Sequence, residues 1–151
     1  MGLQVRTCNA DEMVPETAKI GPLVAQFHHI IKDKAPQTTY CVYTDYESDH
    51  RGAYTFFIGQ ATDTAPPAPL SELILPAQSC LKYSPKRGPM PNVVVHAWQN
   101  IWAEEDAGHL QGQRAYRSDF ECYAATETDM QNMGVDIFFY IMVLISIRMT
   151  S

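Results

Sequence analysis

The chain has 151 residues, of which 46% are hydrophobic and 19% charged. That is the balance of one globular domain with a sizeable core, not of a disordered segment. Seventeen acids against eleven lysines and arginines leave a formal charge of -6. With no basic stripe, that charge argues against direct nucleic-acid binding and favours cationic partners at long range.

In chain order, LQVRTC (3–8) alternates weakly and predicts a first strand. Residues 9–15 supply turn and helix-start types. Ile20, Leu23, Val24, Phe27, Ile30 and Ile31 then recur at helical spacing. Gly21-Pro22 interrupts the pattern, so the regular helix is expected from about Pro22 to the stop at Pro36. TTYCVYTDYE (38–47), the turn SDHRG and AYTFFIGQAT (53–62) predict a β-hairpin. DTAPPAPLS (63–71) is a proline-rich linker at the midpoint.

The order then repeats. ELILPAQSCLKYS (72–84) predicts a strand with a bulge or edge position at Pro76. NVVVHAWQNIWAEED (92–106) predicts a second helix with Val94, Val95, Trp98, Ile101 and Trp102 on one face. RAYRSDFECYAA (114–125) and VDIFFYIMVLISI (135–147) predict the last two strands. The expected fold class is α+β: a tandem βαββ repeat with pseudo-two-fold symmetry. It would form an antiparallel sheet of up to eight strands with two helices and a central ligand groove. Residues 1–151 form a single domain, with repeat one at 1–62, the linker at 63–71 and repeat two at 72–151. TDYE (44–47) aligns with SDFE (118–121), and FF at 56–57 with FF at 138–139. A small unit that cannot bury its own sheet face is expected to pair with its twin, and pockets favour the junction.

Cys8, Cys41, Cys80 and Cys122 are widely spaced, with no CxxC pair and no zinc-like pattern. They are read as reduced and mostly buried. Residues 135–147 fall short of the roughly 20 apolar residues of a membrane span, and no signal-peptide pattern is evident. No membrane association and a cytoplasmic location are therefore expected.

Taken together, RTCNADEMVPETAKIGPLVAQF (6–27), YTDYESDHRGAYTFFIG (43–59), LPAQSCLKYS (75–84), the W..IW of 98–102 and RAYRSDFECY…VDIF (114–138) carry a resemblance. In that order they resemble the gyrase-inhibitor-like (GyrI-like) small-molecule-binding domains, which also serve as effector-binding halves of AraC-type and MerR-type regulators. The stand-alone, integron-cassette-like members look most similar. The resemblance implies a central groove for cationic or aromatic amphipathic molecules, with a buried glutamate as counter-charge. The matching residue is Glu121 of DFECY. Val24 stands where such domains often carry a bulky aromatic. No helix-turn-helix pattern is present, so a DNA role would need a partner regulator chain.

Strand alternation puts Asp119, Glu121 and Tyr123 on one face and Ser118, Phe120 and Cys122 on the other. Both faces carry an aromatic, so periodicity leaves Glu121 either solvated or in the groove. The resemblance places it in the groove. There a carboxylate costs several kcal/mol unless paired, and a ligand cation supplies the pair. Aromatic faces add cation–π attraction of about 0.5–2 kcal/mol each. The candidate aromatics are Tyr43, Phe56, Trp98, Trp102, Tyr123, Phe138 and Tyr140, with Trp102 foremost. Glu47, the counterpart of Glu121, adjoins a turn and is read as solvated.

No metal site or other cofactor is expected. His28 and His29 are adjacent rather than at i, i+4, His50 lies in a turn, and His96 and His109 lack partners. No phosphate-binding glycine motif, serine elbow or Cys/His nucleophile pair occurs. The leading expectation is a binding module for cationic aromatic amphipathic molecules. The alternative is a hydrolase that detoxifies cyclopropane-bearing or related reactive molecules in the same groove, with Glu121 as its base. A third is a protein-interaction role such as gyrase binding. An apolar last strand also makes a homodimer an expectation.

Overall fold

In a computed structural model, residues 1–142 are described. The elements are β1 (Gly2–Cys8), α1 (Asn9–Glu12), α2 (Ile20–Ile31), β2 (Thr39–Thr44) and β3 (Ala53–Gly59), then β4 (Cys80–Tyr83), α3 (Asn92–Asp106), β5 (Ser118–Tyr123) and β6 (Asp136–Tyr140). One antiparallel sheet runs β1-β3-β2-β5-β6-β4. Repeat one contributes β1-β3-β2, and repeat two contributes the same order reversed. The pseudo-two-fold axis therefore passes between β2 and β5. These two pair from Thr39↔Tyr123 to Thr44↔Ser118, and the Thr44 and Ser118 hydroxyls meet at 2.9 Å.

Among the described residues the sheet has six strands, and a third helix, the single turn α1, joins the two expected. Its residues read as turn formers in the sequence, yet they fold into a helical turn that brings Glu12 to the start of α2. The Glu12 carboxylate accepts the backbone N–H groups of Lys19 at 2.9 Å and Ile20 at 3.2 Å. It thereby caps a helix that has no side-chain cap of its own. The helix begins at Ile20, ahead of the expected Pro22. Pro22 falls in the first turn, where its missing N–H leaves no bond unmade, and Gly21 has no Cβ to clash with the proline ring. α3 spans the expected residues.

β4 covers only the end of the expected 72–84, because Pro76 cannot donate to a ladder; Ile74 before it is 78% exposed. β5 starts at Ser118 rather than 114, since Tyr116 turns the chain with φ 49. β6 ends at Tyr140, and residues 143–147 of the expected strand lie outside the described residues. Among the cysteines only Cys41 is buried; Cys8 and Cys122 are half-buried and Cys80 is exposed. "Mostly buried" is therefore corrected, and all four are free thiols.

Both long helices pack on one face of the sheet. Phe27 of α2 sits on Leu3, Cys41, Tyr54, Phe56 and Ile58. Val93, Ala97, Trp98 and Ile101 of α3 sit on Ile137 and Phe139. Tyr43 and Tyr123, on the two central strands, touch both half-cores. The middle of the sheet is thus walled by aromatic rings between the two helices.

Candidate functional site

At this junction lies a cavity of about 410 Å³. Its floor is Tyr43 and Tyr54 with Glu121, one wall is the Trp98–Trp102 face of α3, and the other wall is α1 and the start of α2. The one-turn spacing of Trp98 and Trp102 stacks their rings, with centroids 6.5 Å apart and planes at 27°. The hairpin turn between β2 and β3 adds His50, whose ring lies parallel to Trp102 at 5.2 Å and 9°. Tyr43 meets Trp98 edge-on at 5.3 Å.

Glu121 is 3% exposed. Alternation along β5 turns it to the helix face, opposite Cys41 and Ile137. Its Oε1 accepts the Tyr43 hydroxyl and the Trp98 indole N–H, both at 2.7 Å. Its Oε2 accepts the Tyr123 hydroxyl at 2.8 Å. All three donors are neutral. Among the described residues no lysine, arginine or histidine lies within 4.0 Å of this carboxylate. Burial pushes the Glu121 carboxyl above its ordinary range, and the three hydrogen bonds only partly offset this. Burial first, and then the carboxylate, push the hydroxyls of Tyr43 and Tyr123 up in turn. They remain donors.

The guanidinium that lines the cavity, Arg114, is directed elsewhere. Its Nη2 donates to Asp119 Oδ2 at 2.6 Å and its Nη1 to Glu105 Oε2 at 3.3 Å. Asp119 is fully buried and also accepts the Tyr46 hydroxyl at 2.7 Å and the Tyr140 backbone N–H at 2.8 Å. Burial alone would lower the Arg114 pKa, but Asp119 and the neighbouring phenols turn the net shift upward. The cation lies over the ring of Tyr116 at 4.2 Å and that of Trp98 at 5.6 Å, so it braces the indole that holds Glu121.

Of the sequence candidates, Glu121, Trp98, Trp102 and Tyr43 converge on the cavity. Tyr123 reaches Glu121 from its own strand but does not line the opening. Phe56 is 1% exposed in the core behind Tyr43, at 5.4 Å. Phe138 and Tyr140 are corrected: β6 presents Ile137 and Phe139 to the helices, so these two face the other side. There Phe138 stacks on Phe120 at 5.0 Å, and Tyr140 meets Phe120 edge-on at 6.4 Å. Glu47 is exposed in the turn and accepts the Ala53 N–H at 3.2 Å. Sequence reasoning missed Arg114, His50, Tyr46 and Tyr54. Of these, only Tyr54 carried a legible signal, since it shares the inward parity of Phe56.

The fold and the cavity together define the class: a duplicated βαββ domain with a small-molecule-binding role. The chain belongs to the family of integron-associated effector-binding proteins (Cass2), which it matches over residues 1–141. A Bacillus subtilis protein, YobU, whose name proposes a transcriptional regulator, is 30% identical over 145 residues, covering 91% of this chain and 88% of that protein. The crystal structure of an integron cassette protein from the mobile metagenome of Vibrio cholerae superposes with a TM-score of 0.72 at 33% identity. That match covers 93% of this chain and 88% of that one. Among the described residues no helix is long and apolar enough to cross a membrane.

Proposed function

We propose that the domain binds cationic aromatic small molecules in this cavity, with Glu121 as their counter-charge. The observation that carries this reading is the pairing of Glu121: a buried carboxylate held by three neutral donors and, among the described residues, by no cation. A carboxylate in that state is destabilised relative to water. A ligand cation relieves the deficit and gains more there than at the surface, because the surroundings screen it less. Tyr43, Trp98 and Trp102 supply the flat apolar area that such a ligand buries. Recognition by charge and area, with few directed bonds to the ring system, suits a broad set of planar cations. The effector-binding family and the regulator-like relative support a small-molecule-binding role in general.

The test is a titration of rhodamine 6G followed by quenching of tryptophan fluorescence. Its neutral dihydro form, nearly equal in size, is run beside it. Saturable micromolar binding of the cation, with the neutral form at least tenfold weaker, supports the reading. Equal binding of the two refutes it. Chromatography of the recovered dye then separates binding from turnover, which the hydrolase alternative requires.

A further inference from the structure

Among the described residues six large apolar side chains are exposed: Met13, Val14, Ile74, Val95, Met130 and Met142. Scattered singly, such residues need no explanation; gathered beside a cavity, they mark a contact surface. Three of the six gather at the cavity. Met13 lines it from the α1 wall and Val95 from α3, and Val14 follows Met13 in the chain.

Neither lip is placed there by the core. α1 buries none of its side chains. Polar bonds hold it instead. Asn9 Nδ2 donates to the His50 carbonyl at 2.7 Å, Asn9 Oδ1 accepts the Tyr54 hydroxyl at 2.9 Å, and Glu12 Oε1 accepts the Thr7 hydroxyl at 2.6 Å. Met13, just past the end of α1, is 74% exposed. On α3, Val95, Trp98 and Trp102 stand at i, i+3 and i+7 and share one face. Yet Val95 is 43% exposed where Trp98 is 7%. Half-buried Ile20 and Val94 continue the apolar lining inward from the two lips. The cavity is therefore graded. The carboxylate of Glu121 lies at the floor, the rings of Tyr43 and Trp98 stand over it, and each wall carries an apolar lip at the opening.

Resting on the cation-binding reading, we propose that the ligand is a cation bearing a flexible apolar chain, seated with its charge inward and its chain leaving between Met13 and Val95. The head meets Glu121 among the rings. The chain covers two lips that otherwise stand in water. Methionine suits such a lip, because its unbranched side chain adapts to the group laid against it. A methylene taken out of water by an apolar wall tightens binding by up to about fourfold, so two covered methylenes give about tenfold. The ligand class narrows from planar cations in general to single-chain cationic amphiphiles. Met13 and Val95 become determinants of specificity that act on the chain, as Glu121 acts on the head.

A matched pair of probes tests this. 10-Methyl acridine orange and 10-nonyl acridine orange share the planar cation and differ only in the chain. Both are titrated, below the concentration at which either dye self-associates, into wild type, Met13→Ser and the double variant Met13→Ser/Val95→Ser. The reading is the ratio of the two affinities within each protein, which cancels any effect on the head. The expected result is a wild-type preference of at least tenfold for the nonyl dye, falling to about threefold or less in the double variant. Thermal melting establishes that the variants are folded; if the double variant is not, a fall of at least twofold in the ratio for Met13→Ser decides. Equal affinity of the two dyes for wild type overturns the proposal, as does a preference that survives in the deciding variant; in both cases the cation reading stands. Binding of neither dye to wild type overturns both.

Discussion

Replacing Trp98 with phenylalanine probes how the buried carboxylate is held. The substitution removes the indole N–H that reaches Glu121 at 2.7 Å and the ring that stacks on Trp102 and lies under Arg114 at 5.6 Å. A hydrogen bond to a charged group contributes about 1.5–3 kcal/mol, against about 0.5–1.5 kcal/mol between neutral groups. Lost packing adds on the order of 1–2 kcal/mol. Trp98→Phe is therefore expected to destabilise by about 2.5–5 kcal/mol at pH 8. The same change made on Glu121→Gln costs less, because only a neutral bond is then lost while the packing loss is unchanged. Urea unfolding of the two single variants and the double variant closes the cycle, with an expected coupling of about 1–1.5 kcal/mol. Additivity within about 0.5 kcal/mol would mean that the indole does not hold an ionised carboxylate, and the account of the site would fail there.

Other expectations follow from the same contacts. The Glu121 pKa is raised in the folded chain above its ordinary 4.5, so the folded state binds this proton more tightly than the unfolded one. Its contribution to stability is complete below that ordinary value and is lost as pH rises through the folded value. Urea unfolding as a function of pH should show a falling component that Glu121→Gln abolishes. By the same linkage, a cation held at Glu121 lowers that pKa. Rhodamine 6G binding should therefore release protons and tighten with rising pH across this window, as read by calorimetry in buffers of different ionisation heat; pH-independent binding would contradict it. Arg114→Met leaves Asp119 buried without its cation and is expected to cost about 3–5 kcal/mol. Adding Asp119→Asn should restore part of that, which thermal melts would show. Tyr140→Phe removes a 2.8 Å bond to the Pro76 carbonyl and should cost about 0.5–1.5 kcal/mol. Because Tyr140 faces away from the cavity, dye affinity should stay within about twofold.

The tandem βαββ order was legible because each element carries local signals: the period of α3, the hairpin turn, the proline-rich midpoint. What lay beyond the sequence was which face each residue takes. FF at 56–57 aligns with FF at 138–139 as letters, yet Phe56 faces the helices and Phe138 faces away. A shift of one residue exchanges the faces of a strand. The two acid-aromatic-acid stretches differ for a related reason. β2 ends at Thr44 and Asp45 turns the chain with φ 50, so Glu47 is left in the turn, whereas Glu121 sits inside β5. Arg114 opens the predicted strand 114–125, and nothing in that pattern marks it as buried. Its burial depends on Asp119, Glu105 and the rings of Trp98 and Tyr116, contacts that no local pattern encodes. His50 likewise becomes a cavity residue only once the hairpin turn meets the end of α3.

The central claim is that the Glu121 charge holds a ligand cation, and its most direct test is the affinity of rhodamine 6G for wild type against Glu121→Gln. Glutamine keeps a carbonyl oxygen for the Tyr43 and Trp98 donors and offers its amide to the Tyr123 oxygen, so the charge is removed with little else. The account predicts at least a tenfold loss, about 1.4 kcal/mol, in a variant that melts no lower than wild type at pH 7. Equal affinity in the two proteins would contradict it.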